Sequence, residues 1–160
     1  MASMPPDQPV QLSLIDRLLA DGPAADQSHR QHQRELRAAV GRDIEALLNT
    51  RQRSLSPPAG LAELEVSLVN YGIPDFTGMN LASEDYREQF RRSVETVLSR
   101  YEPRFKRVSV ILLDNADTLD RTLRFRIDAL MYARPEPEPL VFDSELEASS
   151  NTFTVRAGKP

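Results

Sequence analysis

The 160-residue sequence contains no cysteine, only two lysines and only six glycines. Without cysteine the chain has no disulfide framework, no thiol nucleophile and no cysteine-based metal site. No apolar run approaches the roughly 20 residues that a transmembrane helix needs. The few glycines form no phosphate-binding cluster, and no Gly-x-Ser-x-Gly context marks a nucleophilic serine. The sequence therefore shows no recognisable catalytic, metal or cofactor motif.

The charge balance is slightly acidic, with a formal net charge of −4. It provides no overall attraction to nucleic acid or to an anionic membrane. The 20 basic residues are 18 arginines and two lysines. Arginine suits planar, hydrogen-bonded contacts at protein interfaces, although a GC-rich genome produces the same bias. Five arginines lie on or just after a predicted helix over residues 30–50: Arg34, Arg37, Arg42, Arg51 and Arg53. Acidic residues are interleaved among them and no aromatic residue accompanies them. This pattern favours a solvated or protein-contacting helix face over a nucleic-acid surface.

The length predicts one domain with a buried core. Prolines at positions 5, 6 and 9 predict a disordered segment over residues 1–11. We expect a single domain over residues 12–156 and a disordered tail over residues 157–160. The N-terminus lacks the basic-then-apolar layout of a signal peptide, which predicts a cytoplasmic protein.

Apolar spacing predicts three amphipathic helices, at residues 12–19, residues 30–50 and a third that ends at Tyr101. The third carries its apolar residues on one face at Tyr86, Phe90, Val94, Val97, Leu98 and Tyr101. Ser83 is a suitable N-cap. Pro103 ends this helix because it has no N–H and disfavours helical backbone at Glu102. Residues 61–69 are apolar, and either a helix or a strand fits them.

Residues 105–113 and 123–129 predict two strands joined by a turn at 114–117. Strict alternation in the second strand buries Leu123, Phe125, Ile127 and Ala129 and exposes Arg124, Arg126 and Asp128. Alternate prolines predict a stiff, extended connector over residues 135–139. A terminal hairpin follows, with strands at 140–142 and 152–155 and an acidic turn that contains Glu145 and Glu147. The expected fold is α+β, with a small mixed or antiparallel sheet of about four strands packed against two to three amphipathic helices.

The corner at Glu102, Pro103 and Arg104 is the most unusual local feature. A carboxylate at a helix C-terminus meets the negative end of the helix dipole, and residues two apart on an extended link project to the same side. Glu102 and Arg104 fit either an exposed pair of little energetic value or a bidentate contact that holds partner strands. Elsewhere, the spacing of His29 and His32 permits a metal site. No acidic ligand lies at a matching offset, so the favoured interpretation is that both histidines are exposed residues of a helix.

The chain resembles the TssE family, the lysozyme-like baseplate subunits of the bacterial type VI secretion system, and their relatives in contractile-tail phage baseplates. Six blocks carry the resemblance in the family's order and spacing: SLIDRL at 13–18, RDIEALLNTR at 42–51, SLVNYGIPDF at 67–76, YEPRF at 101–105, FRIDA at 125–129 and VFD at 141–143. The proline-rich N-terminus and the 135–139 connector depart from the family pattern and touch none of these blocks.

The resemblance implies a structural, non-enzymatic wedge protein that joins other wedge subunits and attaches the first ring of the contractile sheath. Implied partners are wedge subunits of the TssF, TssG and TssK type and sheath subunits of the TssB and TssC type, at the cytoplasmic face of the inner membrane. No cofactor, metal, nucleic acid or membrane insertion is implied. The family's Glu-Pro-Arg motif falls on Glu102, Pro103 and Arg104, which the resemblance implies to be a sheath or partner contact or a core brace. A second family motif, a turn, falls on Asn70, Tyr71, Gly72, Pro74 and Asp75.

Two further expectations accompany this interpretation. The edges of a small sheet can accept sheath strands by β-augmentation. The alternative function is a peptidoglycan-cleaving glycoside hydrolase, which would need two carboxylates about 5–5.5 Å or about 6.5–9.5 Å apart and one raised carboxyl pKa.

Overall fold

The computed structural model describes residues 18, 29–53, 60, 62–65, 67–76, 83–114, 122–133, 136–147 and 149–158. The helices are α1 (His29–Asn49), the short α2 (Ala62–Glu65) and α3 (Glu84–Tyr101), with a 3₁₀ turn at Leu68–Asn70. The strands are β1 (Phe105–Leu113), β2 (Thr122–Met131), β3 (Glu138–Glu147) and β4 (Thr152–Ala157). The predicted helix at 12–19 lies outside the described residues except for position 18, and so does most of the predicted turn at 114–117.

The four strands form one antiparallel sheet in the order β1-β2-β3-β4. Residues on β2 alternate between buried and half-buried along its whole length. Leu123, Phe125, Ile127 and Ala129 are buried as the alternation predicts. The α+β prediction is confirmed.

Helices α1 and α3 pack on the same face of the sheet, with α1 against β4 and α3 against β1. Phe90 of α3 lies at the centre of the core. Its ring centroid is 5.3 Å from that of Phe125 on β2 and 6.1 Å from that of Phe153 on β4. Aromatic pairs at these separations add attraction beyond the area that they bury. The Phe90 side chain therefore joins the middle of the sheet to its β4 edge.

Two of the arginines on or after α1 are used within the fold. Arg37 donates to Glu138 Oε1 from Nε (2.9 Å) and from Nη2 (2.5 Å), which ties α1 to the start of β3. Arg51 donates to the carbonyls of Leu48 and Asn151 and lies over the ring of Phe153. Arg37 and Arg51 are therefore engaged by other elements of this chain.

Several local predictions differ from the structure. Tyr86 is exposed although its spacing matches the buried face of α3. Glu138 and Pro139, predicted as connector, begin β3, and Glu145 and Glu147, predicted as a turn, lie on β3 and pair with β4. Ala157 ends β4 and Gly158 N donates to Val141 O (2.8 Å), so the sheet extends into the segment predicted to be disordered. Residue Ser83 is the N-cap of α3, but its side chain makes no capping hydrogen bond.

Candidate interaction site at the Glu102 to Arg104 corner

The corner is a tight junction between α3 and β1. Glu102 N donates to Leu98 O (2.9 Å) and closes the last turn of α3. Phe105 N then donates to Glu102 O (3.2 Å), and Arg104 O accepts from Tyr132 N (2.9 Å) just beyond β2. Pro103 carries no N–H and stands at the bend, where the helix ends as predicted. The backbone therefore turns from helix to strand within three residues.

Glu102 and Arg104 form a bidentate ion pair inside this junction. Arg104 Nε lies 2.7 Å from Glu102 Oε1, and Nη2 lies 2.5 Å from Oε2. The backbone N–H of Arg104 also donates to Glu102 Oε1 (3.2 Å). Only 6% of the Glu102 side chain and 13% of the Arg104 side chain are exposed. The two side chains therefore meet as the sequence predicts, but they are buried in the free subunit.

Asp43 of α1 is the third member of this cluster. Arg104 Nη2 donates to Asp43 Oδ2 (2.7 Å), and 45% of the Asp43 side chain is exposed. One guanidinium thus joins three elements, namely α1, the end of α3 and the start of β1. Sequence reasoning placed Asp43 among the interleaved charges of a helix face, because nothing local marks a contact that spans 61 residues.

The electrostatics of the cluster favour charge on Arg104. Burial alone would lower the pKa of the Arg104 guanidinium, but hydrogen bonds and attraction from Glu102 and then Asp43 outweigh it and raise that pKa. Burial, together with the negative charges of Asp43 and Glu102, raises the pKa of the neighbouring Tyr71 phenol. Arg104 therefore stays charged in this cluster, beside a neutral tyrosine.

The predicted motif turn lies beside the corner. The Tyr71 ring contacts the Tyr101 ring edge-on, with centroids 5.2 Å apart, and Tyr101 Oη donates to Ser67 O (3.3 Å). Asn70 is buried and donates from Nδ2 to Leu64 O (3.0 Å). Asp75 instead accepts from Asn151 Nδ2 (3.1 Å) at the turn between β3 and β4. The structure therefore brings Tyr71 to the corner and directs Asp75 to the hairpin.

Gly72 is required by two features of this turn. Its φ of +107° is unfavourable for residues with a side chain. A Cβ at this position would also lie 2.4 Å from Thr50 O. This close approach accompanies hydrogen bonds between residues 50–52 and Ile73, including Ile73 N to Thr50 O (2.9 Å). The turn is thereby fastened to the end of α1, and Pro74 follows it half-buried.

The two edges of the sheet differ in how they are covered. On β4, Asn49 of α1 exchanges two hydrogen bonds with the backbone of Phe153, each of 2.9 Å, and Glu45 accepts from Val155 N (2.9 Å). These are the outward-facing groups of β4, because the alternate residues pair with β3. The expectation of a free edge is therefore wrong for β4.

The β1 edge is less covered. Val110 N donates to Glu95 Oε1 of α3 (2.8 Å), which identifies Val110 as an outward-facing position. By alternation the backbone groups of Val108 and Leu112 also point outward. Within the described part of the chain, the structure records no hydrogen-bond partner for the outward N–H of either residue. This edge is the more accessible of the two.

A groove of about 490 Å³ runs between α3 and the segment that follows α2, and two carboxylates, Asp85 and Glu88, line it. Hydrogen bonds from Arg91 and then Arg92 lower the pKa of Glu88 to about 2. The pKa shift of Glu88 is opposite to that of a general acid.

Comparison with known proteins identifies the family. The family model of the "Baseplate wedge protein gp25" matches residues 34–136, which is more than half of the chain. The chain belongs to the gp25 baseplate wedge family. The matched region contains most of α1, the motif turn, α3, the Glu102 to Arg104 corner, β1 and β2. The resemblance noted from the sequence is confirmed.

A solved structure titled "The baseplate complex from the type VI secretion system" contains a similar chain, with 21% sequence identity and a TM-score of 0.50. The match covers 80% of this chain and 98% of that one. At this identity the likeness concerns the fold. No curated protein matches the sequence. None of the helices in the described part of the chain combines the length and apolarity that a membrane crossing requires.

Proposed function

We propose that this chain is a structural, non-enzymatic component of a type VI secretion baseplate. It joins wedge subunits of the TssF, TssG and TssK type and receives the first ring of TssB- and TssC-type sheath subunits, at the cytoplasmic face of the inner membrane. The observation that carries this proposal is the gp25 family match over residues 34–136. The fold shared with a chain of a type VI secretion baseplate structure supports this machine over a phage tail.

In this proposal Glu102, Pro103 and Arg104 act first as a brace. Their burial and their contact with Asp43 hold α1, α3 and β1 in a single arrangement. The accessible rim of the brace is the half-exposed carboxylate of Asp43 with the adjacent Tyr71, and this rim is where a wedge subunit contacts the corner. The motif thereby supports a partner surface without presenting its own charges to solvent.

Sheath attachment is assigned to the β1 edge. An incoming strand gains affinity from main-chain hydrogen bonds to an exposed sheet edge. Among the described residues nothing pairs with the outward N–H groups of Val108 and Leu112, whereas the outward groups of Phe153 and Val155 N are already paired with side chains of α1. The accessibility of the backbone therefore favours β1 over the terminal hairpin.

The hydrolase alternative has little support in the groove beside α3. A glycosidase keeps one carboxyl group protonated near neutral pH by raising its pKa. Glu88 has a pKa of about 2 and is therefore ionised. Peptidoglycan cleavage at enzyme-like rates that a single Asp or Glu substitution abolishes would overturn the non-enzymatic assignment.

The proposal is tested by sheath assembly in cells and by identification of co-purified partners. We expect the native protein to recover baseplate and sheath subunits. Val108→Pro removes an outward N–H of β1 without removing a bond to β2, and it should impair sheath assembly. Ala157→Pro at the outward-facing end of β4 is the matched control and should assemble normally. Folding of both variants is checked by circular dichroism, and normal sheaths in a folded Val108→Pro variant would exclude the β1 edge.

A further inference from the structure

Glu95 of α3 is placed to control the β1 edge. Its carboxylate accepts the hydrogen bond of Val110 N (2.8 Å) at the middle of the three outward-facing positions, and it also pairs with Arg91 Nη1 (2.6 Å). We infer that Glu95 is a removable guard: it occupies the Val110 amide in the free subunit and releases it to the backbone carbonyl of an incoming strand. The identity of that strand rests on the proposed function, but the guard itself does not.

The two edges show why this contact is removable. Asn49 holds both the N–H and the C=O of Phe153, and Glu45 holds Val155 N, so a strand arriving at β4 must break three hydrogen bonds. Among the residues that the structure describes, a strand arriving at β1 meets one such bond, from Val110 N to Glu95. Unpaired strand edges are prone to pair with other chains, and proteins commonly block them with charged side chains. The β4 edge is closed by side chains of α1, and in the described part of the chain the β1 edge is blocked at Val110 alone.

Displacement of Glu95 leaves no charge unpaired. When the carboxylate leaves Val110 N, it keeps its ion pair with Arg91, and the Val110 N–H exchanges a side-chain carboxylate acceptor for a backbone carbonyl. Arg91 is in turn held by two hydrogen bonds to Glu88, of 2.7 and 2.8 Å. The side chain of Glu95 therefore has a defined place to remain after the strand has bound. The Val110 N–H therefore has one hydrogen bond before and after the exchange. Hydrogen bonds of the incoming strand to Val108 and Leu112 are additional.

The geometry also describes the occupant. It is an extended segment of about five residues whose backbone pairs with residues 108–112, with a carbonyl opposite Val110 N. On the outer face of the sheet it lies beside Ser109 and Ile111, and 46% of Ile111 is exposed. An apolar side chain at the position next to Ile111 completes the cross-strand contact. The site therefore fits a strand with an apolar residue on its outer face.

Hydrogen exchange on the isolated protein tests the guard directly. In Glu95→Ala we expect the Val110 amide to exchange about tenfold faster, which corresponds to loss of one hydrogen bond of roughly 1.4 kcal/mol, while the Val155 amide is unchanged. Glu45→Ala on the opposite edge is the matched control and should show the reverse pattern. Glu95→Gln keeps an acceptor oxygen and should stay close to the native rate. Unchanged exchange at Val110 in a folded Glu95→Ala variant would overturn the inference.

Binding then tests removal of the guard. Purified TssB- and TssC-type sheath subunits of the same organism serve as the probe, and sedimentation velocity measures self-association. We expect Glu95→Ala to bind the sheath subunits several-fold more tightly, or to self-associate, while Glu45→Ala does neither. Weaker sheath binding by Glu95→Ala would make Glu95 a contact and not a guard. If neither the native protein nor Glu95→Ala binds sheath subunits, yet Glu95→Ala self-associates, the guard stands and the proposed sheath partner is wrong.

Discussion

The molecule contains two arginine–carboxylate groups of similar hydrogen-bond geometry and very different surroundings. At the corner, Arg104 binds Glu102 through two side-chain contacts in a site where 13% and 6% of the side chains are exposed. On α3, Arg91 binds Glu88 through two contacts of 2.7 and 2.8 Å, but 28% and 43% of these side chains are exposed. Water competes for the second group and hardly reaches the first.

The difference shows that burial and connectivity decide the value of such a pair, not the number of its hydrogen bonds. An exposed pair contributes little because solvent screens it. A buried pair is not a large net stabiliser either, but loss of one partner leaves the other charge unpaired inside the protein. The α3 network joins residues three and four apart on one helix, whereas Arg104 connects α1 to the junction of α3 and β1. Of these two pairs, Arg104–Glu102 is therefore the one whose arginine also links separate elements, through Asp43 of α1.

The largest effect is expected from removal of one corner partner. Arg104→Ala leaves the buried Glu102 carboxylate without its charged partner and should lower the free energy of unfolding by roughly 3–5 kcal/mol. Glu102→Ala should cost less, because Arg104 keeps its ion pair with Asp43. Urea denaturation followed by circular dichroism measures this loss. A decrease below about 1 kcal/mol would mean that the corner behaves like the exposed pair on α3.

A smaller effect is expected from Arg104→Lys. The ammonium keeps the charge but cannot make the planar two-point contact with Glu102 while it also reaches Asp43. The variant should lose roughly 1–3 kcal/mol of stability and should assemble sheaths poorly in cells. Arg126→Lys is the matched control, because Arg126 pairs with Asp143 on the open face with both side chains more than 40% exposed. Equal losses from the two substitutions would remove the distinction between the corner and the surface.

Asp43→Ala should have a still smaller effect on stability. Its carboxylate is half-exposed, so its removal should cost roughly 0.2–1 kcal/mol, and Arg104 keeps its bidentate contact with Glu102. If Asp43 contacts a wedge partner, the same variant should reduce recovery of wedge subunits in a pull-down. Normal recovery from a stable Asp43→Ala variant would place the partner contact elsewhere.

The smallest contribution to stability at neutral pH is expected from the exposed Glu88 carboxylate on α3. Its contribution is best tested by varying the pH. Hydrogen bonds from Arg91 and Arg92 hold the pKa of Glu88 at about 2, below its usual 4.5. A carboxyl group whose pKa is lower in the folded state stabilises fully above the unfolded pKa, and this contribution disappears as pH falls through the folded value. Its contribution should therefore be present above about pH 4.5 and decline between about pH 4.5 and pH 2. Carboxyl NMR titration checks the midpoint, and a value near 4.5 would show that water has broken the pair.

Much of the fold follows from local pattern. The alternation over 123–129 predicts which side of β2 is buried, and Pro103 predicts the end of α3 at Tyr101. The wrong predictions concern residues whose composition fits a turn or connector as well as a strand. Glu145 and Glu147 have the composition of a turn, yet they lie on the solvent-facing side of β3, where charged residues are compatible with a strand. Alternate prolines predict an extended backbone correctly at Pro139, but they do not show whether that backbone joins a sheet.

The candidate site was predictable only in part. The adjacency of Glu102 and Arg104 follows from their spacing, and the interpretation of these residues as a motif depends on the family resemblance. The contribution of Asp43, the approach of Tyr71 and the burial of the pair depend on how α1 packs beside the corner. No periodicity encodes these contacts, since they join residues that are far apart in the chain.

The sequence by itself determined the amphipathic elements, the helix stop at Pro103, the glycine turn at Gly72 and the family, because each depends on neighbouring residues or on ordered motifs. The tertiary structure decided which strand edge is closed and which is guarded. Asn49 and Glu45 reach β4 across more than 100 residues of chain, and Glu95 reaches β1 across 15. Side chains that satisfy backbone groups of another element find their partners only when the elements pack, so packing made β4 closed and β1 available.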